Sequence, residues 1–156
     1  MTEVRLLIGI CVVSDRASVG VYGPVGGEAI EQYLRERVVT PWRSLHRTIP
    51  DGFENVREAL IGLADREECA LILTTGGAGS APRDLTPEAT EAACTRMVPG
   101  FGELMRTQSL KEVPTAILSR QTRGHPRQRI DRQPARPAEF HLNLSRCGVS
   151  CHSLLS

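Results

Sequence analysis

Residues 70–88 read ALILTTGGAGSAPRDLTPE, and three local signals meet in that stretch. Residues 70–75 form a short apolar run of strand length, as expected of a strand buried on both faces. Gly76, Gly77 and Gly79 follow, and with three glycines in four positions successive backbone N–H groups can turn toward one point. Thr86 then suits a helix N-cap, Pro87 the first helical position and Glu88 the positive end of the helix dipole. Strand, glycine loop and helix start in that order predict a parallel α/β sheet with a ligand loop on the carboxyl edge of its strands.

Toward the N-terminus the same alternation repeats. Residues 5–14, RLLIGICVVS, are a second buried strand, ending in the polar turn Ser14-Asp15-Arg16. After a glycine-rich stretch at 20–27, Ile30, Tyr33, Leu34 and Val38 share one helical face. Residues 44–49 read as a short strand, and a second helix after Asp51 turns Val56, Leu60, Leu63 and Ala64 inward. Strand, helix, strand, helix, strand implies right-handed crossovers and a mostly parallel sheet between helical layers. Asp15, Asp51 and the loop after Thr75 should therefore converge on one rim. Downstream, a helix is expected over 101–110 and a strand over 115–119.

A chain of 156 residues fits one domain and can bury a core without disulfides or structural metal. The net charge of +1 conceals an asymmetry: residues 123–156 hold six Arg against Asp131 and Glu139, so the body is mildly acidic and offers no nucleic-acid surface. The first residues lack the pattern of a signal peptide, and no run approaches a membrane span, so a soluble cytoplasmic protein is expected. Cys11, Cys69 and Cys94 sit in apolar segments, as small buried hydrophobes do.

Chemistry concentrates in the loops. Read alone, the turn after Thr75 is either a tight turn or an anion cradle; it is neither a Walker A loop nor a dinucleotide fingerprint. If Thr86 and Pro87 start the helix, the Asp84 carboxylate is left available. Asp51, in Pro50-Asp51-Gly52, either caps the next helix or serves the rim. Two carboxylates beside a phosphate loop suggest Mg²⁺, which takes oxygen ligands shared with substrate phosphates.

Five stretches resemble the MogA/MoaB/gephyrin G-domain family in order and spacing. They are Ser14-Asp15-Arg16-Ala17-Ser18 with Gly20-Val21-Tyr22, Ile49-Pro50-Asp51, TTGGAGSAPRDLTPEAT at 74–90, Pro99-Gly100-Phe101-Gly102, and Pro114-Thr115-Ala116-Ile117-Leu118-Ser119-Arg120. The resemblance covers about four fifths of the chain, and its one departure is Ala78-Gly79-Ser80, where many relatives have Thr-Gly-Pro or Thr-Gly-Phe. It implies a three-layer α/β/α sandwich, commonly a homotrimer, that uses Mg²⁺ and ATP to adenylylate molybdopterin in molybdenum cofactor biosynthesis, with a molybdenum-insertion protein as a further partner. It also implies that Asp51 and Asp84 align metal and phosphate as the catalytic acids, that Thr75, Gly76, Gly77 and Gly79 cradle phosphate, and that Ser14, Asp15 and Arg16 shape the same rim. A catalytically silent pterin- or nucleotide-binding scaffold is the alternative within the family.

From His125 onward the resemblance stops, where relatives continue with an apolar strand ending Asn-Leu-Pro-Gly. The tail carries Arg-rich spacing and Cys147-x-x-x-Cys151-His152, which is not a standard zinc pattern. Read from the second base of each codon, the codons from Gly124 onward permit GIRGNALIVNLPG, which supplies the missing strand. One extra base near codons 123–124 is therefore expected, with residues 1–124 a molybdopterin- and nucleotide-binding domain whose C-terminal part is incomplete and 125–156 an out-of-frame, disordered tail. Activity of the chain as written is expected to suffer accordingly.

Overall fold

The computed structural model describes residues 6–21, 23 and 25–126. The readings placed on residues 127–156, the out-of-frame tail and its Cys/His group among them, lie outside the described residues. The boundary expected at Gly124 falls inside a described strand.

Three parallel strands, β1 (Leu6–Val13), β2 (Trp42–Ile49) and β3 (Leu71–Thr75), form a sheet in the order β2-β1-β3. β1 is the central strand, and its alternation builds two cores. Ile8 and Ile10 face α2 (Val25–Arg37) and pack with Ile30 and Leu34. Cys11 and Val13 face the other way, against Val56, Leu60 and Leu63 of α3 (Phe53–Ile61) and the π-helical turn Gly62–Arg66, and against Ala89 and Ala93 of α4 (Thr86–Ala93). A strand with helices on both faces must be apolar throughout, and each fully buried Ile contributes roughly 1.5–3 kcal/mol. The result is the expected α/β/α layering. Burial pushes the Cys11 thiol up to about 11, so it packs as an apolar group.

Beyond the sheet, Ser14 caps the one-turn helix α1 (Asp15–Ser18), a refinement of the polar turn read there. β4 (Cys94–Met97) pairs antiparallel with β5 (Gly124–Pro126), and α5 (Pro99–Ser109) lies between them in sequence. No helix among the described residues is long and apolar enough to cross a membrane.

Four local expectations are corrected. Residues 115–119 are not a strand: Pro114 opens a 3₁₀ turn, Pro114–Leu118, that buries Ala116 and leaves Ile117 and Leu118 more than 60% exposed. Its apolar residues are spread around a tight turn and never share a core-facing row. Residues 70–75 are not buried on both faces, since only Thr75 is fully buried and β3 has β1 alone beside it among the described residues. Thr86 is the first residue of α4 and Leu85 its N-cap, because the Thr86 N–H is drawn to the Gly77 carbonyl (3.0 Å). Asp51 does not cap the helix that follows it; Gly52 occupies the N-cap of α3 and supplies no side chain.

Candidate functional site

The register Val13↔Ile49 ends β1 and β2 level with one another, so the residues two beyond each strand, Asp15 and Asp51, come face to face. Their bonding is reciprocal. The Asp15 N–H donates to Asp51 Oδ2 (3.1 Å) and the Asp51 N–H donates to Asp15 Oδ1 (3.0 Å). Asn55 Nδ2 donates to the Asp51 carbonyl (2.9 Å), fixing the turn from the first turn of α3. Each carboxylate thus spends one oxygen on the partner's backbone, and its second oxygen bonds nothing among the described residues. The Arg16 guanidinium, exposed beside them, also has no partner among those residues.

The third part of the rim leaves β3 through glycines that have no substitute. At Gly76 φ is +99° and a Cβ would overlap the Val13 carbonyl; at Gly77 φ is +62° and a Cβ would overlap Thr86 Oγ1. The chain therefore crosses the end of β1 at van der Waals distance before returning to α4. Gly79 lies so close to Asp84 that a Cβ would stand 2.7 Å from its Oδ2. That same Oδ2 accepts the Ala81 N–H (3.0 Å), so Asp84 closes its own loop with one oxygen and keeps the other uncommitted. The availability expected for Asp84 holds for half of its carboxylate.

Structure adds three features that sequence reading passed over. Gly26 brings the amino end of α2 against Thr75, with a hypothetical Cβ 3.0 Å from Thr75 Cγ2, which turns the positive end of a 13-residue helix toward the rim. The glycines at 26–27 were the only available signal. The buried hydroxyls of Thr86 and Ser119 have no hydrogen-bond partner among the described residues. Arg120 reaches the glycine loop from 41 residues away, through its Nε to the Gly79 carbonyl (2.9 Å).

As donors, these groups suit an anion flanked by a hard cation. The glycine loop and the α2 terminus present N–H groups, while Asp15, Asp51 and Asp84 each keep a carboxylate oxygen. No three His, Cys, Asp or Glu side chains among the described residues stand close enough to hold a metal by themselves. A magnesium ion here would complete its shell with water and substrate phosphate, which is its usual habit.

A family model described as "Probable molybdopterin binding domain" matches residues 9–146, a span that passes the boundary expected at Gly124. The chain is 50% identical over 117 residues to the molybdopterin adenylyltransferase of Helicobacter pylori (strain ATCC 700392 / 26695), covering 75% of this chain and 66% of that one. It is 51% identical over 116 residues to that of Escherichia coli (strain K12), covering 74% and 60%. The chain therefore spans about three fifths to two thirds of the length of these relatives. Among solved structures, the molybdopterin biosynthesis enzyme MoaB of Thermus thermophilus superposes with a TM-score of 0.68 at 39% identity, over 78% of this chain and 75% of that one. The Mog protein of Mycobacterium ulcerans superposes with a TM-score of 0.67 at 36% identity, over 79% and 78%. On the fold, the rim and these likenesses together, the chain belongs to the molybdopterin-binding domain family of molybdenum cofactor biosynthesis.

Proposed function

We infer that this chain is a molybdopterin adenylyltransferase, moving AMP from ATP to the terminal phosphate of molybdopterin. A pterin phosphate oxygen forms a bond to the α-phosphorus of ATP, the α–β anhydride bond breaks, and pyrophosphate leaves with that electron pair. The observation that carries the reading is the reciprocal Asp15–Asp51 turn beside a glycine loop whose Gly79 and Ser80 amides have no partner among the described residues. Adenylyl transfer needs no protein nucleophile; it needs phosphates held in line and their charge balanced.

Each group then has a task. Gly76, Gly77 and Gly79, with Thr75 beneath them, hold phosphate oxygens through backbone N–H groups. Asp51 and Asp84 would hold the magnesium ion, and Asp15 with Ser14 and Arg16 would complete that edge. Mg²⁺, when bound, would supply charge neutralisation for the departing pyrophosphate. Homotrimer formation, delivery to a molybdenum-insertion protein and a cytoplasmic setting belong to the same proposal. So does the out-of-frame reading of residues 125–156, which resequencing around codons 120–130 decides.

The test is label transfer from ATP labelled at the α-phosphorus, with Mg²⁺ and molybdopterin, using both the chain as written and a one-base-deleted version. Label moving onto the pterin one for one with pyrophosphate released supports the reading. If both versions bind pterin or nucleotide and move no label, the chain is a binding module and the enzymatic reading fails.

A further inference from the structure

We propose that Arg120 is the positioning residue of the glycine loop: it grips the outward carbonyls of the loop so that the loop amides face the phosphate site. The phosphate half of this statement rests on the proposed function; the grip does not.

Arg120 makes four attachments. Its backbone N–H donates to the Ala78 carbonyl (2.9 Å), its Nε to the Gly79 carbonyl (2.9 Å), its Nη2 to the Asp84 carbonyl and its Nη1 to Glu88 Oε1. One residue thereby ties the start of the loop, its end and the first turn of α4. In a trans peptide the C=O and the following N–H point in opposite directions. Fixing the Ala78 and Gly79 carbonyls toward Arg120 therefore turns the Gly79 and Ser80 N–H groups away from it. Neither of those amides has a partner among the described residues. A loop whose Ala78 and Gly79 carbonyls are engaged on one side while the Gly79 and Ser80 amides face the other is organised to receive an anion.

The anchor is itself braced. Arg106 of α5 donates through Nη1 to the carbonyls of Gln121 (2.9 Å) and Ser119 (3.4 Å), on either side of Arg120. Gly102 lets α5 lie directly on the Gln121 carbonyl, where any Cβ would overlap it. Arg120 therefore starts from a fixed backbone. Only a guanidinium, with donors fanned in one plane, reaches two carbonyls and a carboxylate together; a lysine ammonium has no such fork. The Arg120 and Glu88 side chains are 39% and 42% exposed, so their attraction is screened and the contribution of the residue is geometric. Consistent with the contact, Arg120 holds the Glu88 carboxyl below the usual range.

The experiment is hydrogen exchange on the full chain, comparing wild type with R120A, R120K and E88Q, alongside calorimetric binding of inorganic pyrophosphate with Mg²⁺. Loss of charge-assisted bonds should raise exchange at the bonded loop amides of Ala81, Asp84 and Leu85 by at least about tenfold in R120A, leave β1 and α2 unchanged, and weaken pyrophosphate by a similar factor. R120K should recover only part of the protection, and E88Q, which keeps an acceptor for Nη1 but removes its charge, should loosen the loop least. If R120A does not fold, R120K and E88Q give the same reading. Wild-type exchange in the loop of every folded variant overturns the proposal. Raised exchange with unchanged pyrophosphate binding overturns the positioning role and leaves a structural brace. A wild-type chain without adenylyl transfer would sink the proposed function while leaving the exchange result to stand.

Discussion

The two halves of the rim are held in opposite ways. At the ends of β1 and β2, Asp15 and Asp51 secure each other by backbone-to-carboxylate bonds, with support from Asn55 of the adjoining helix and from the Ser14 N–H, which donates to the Ile49 carbonyl (2.9 Å). After β3, the glycine loop bonds to itself through Asp84 and is otherwise fixed from outside, by Thr86 and by the distant Arg120. The first half is a product of sheet register and forms when the strands pair. The second depends on a part of the chain that arrives later in sequence. A self-held turn should tolerate changes elsewhere, whereas an externally held loop should register them.

The largest effect is expected at Gly76. Gly76→Ala puts a Cβ onto the Val13 carbonyl at a left-handed φ of +99°, and should cost about 3 kcal/mol or more. A urea midpoint within error of wild type would show that the loop does not cross β1 as described. Next comes Asp84→Asn, whose amide oxygen can still accept the Ala81 N–H while the charge disappears. Stability should change by less than about 0.5 kcal/mol and adenylyl transfer should fall about 100-fold. Equal losses of both would place Asp84 with the scaffold.

A smaller effect separates the halves by pH. The Glu88 carboxyl is depressed in the folded chain, first by its bond to Arg120. A depressed carboxylate contributes stability that is present above its unfolded pKa and lost as pH falls through the lower folded value. Acidification below the ordinary Glu value of 4.5 should therefore raise hydrogen exchange in residues 77–88 before β1 and β2 respond. Simultaneous loss in both regions would contradict the distinction. In E88Q the acid-selective loosening should vanish.

How much of this was legible in the sequence follows the same division. Period-two burial in β1 told Ile8 and Ile10 from Cys11 and Val13 only once helices stood on both faces, but the apolar run itself announced a sandwiched strand. Asp15, Asp51 and Asp84 were legible as rim residues because loops after parallel strands share an edge. Their bonding was not legible. The Asp15–Asp51 reciprocity depends on Val13 pairing with Ile49, and strand register is not written in either strand alone. Thr86 was read as a cap from its residue type, yet the Gly77 carbonyl claims its N–H and moves the helix start by one position. Residues 115–119 were read as a strand from apolar content, and Pro114 turned them into a 3₁₀ turn. Arg120 was visible only as part of a motif, since its side-chain partners lie 32 to 41 residues away.

The most direct measurement concerns Asp51, because the central claim is that its charge serves chemistry while its backbone serves the fold. Asp51→Asn keeps its own N–H and an oxygen able to accept from Asp15, so the turn survives and only the charge is lost. Pyrophosphate release with Mg²⁺, ATP and molybdopterin, measured beside the thermal midpoint, should fall about 100-fold while the midpoint moves by less than about 4 °C. Undiminished release, or a midpoint that collapses together with the rate, would contradict the account.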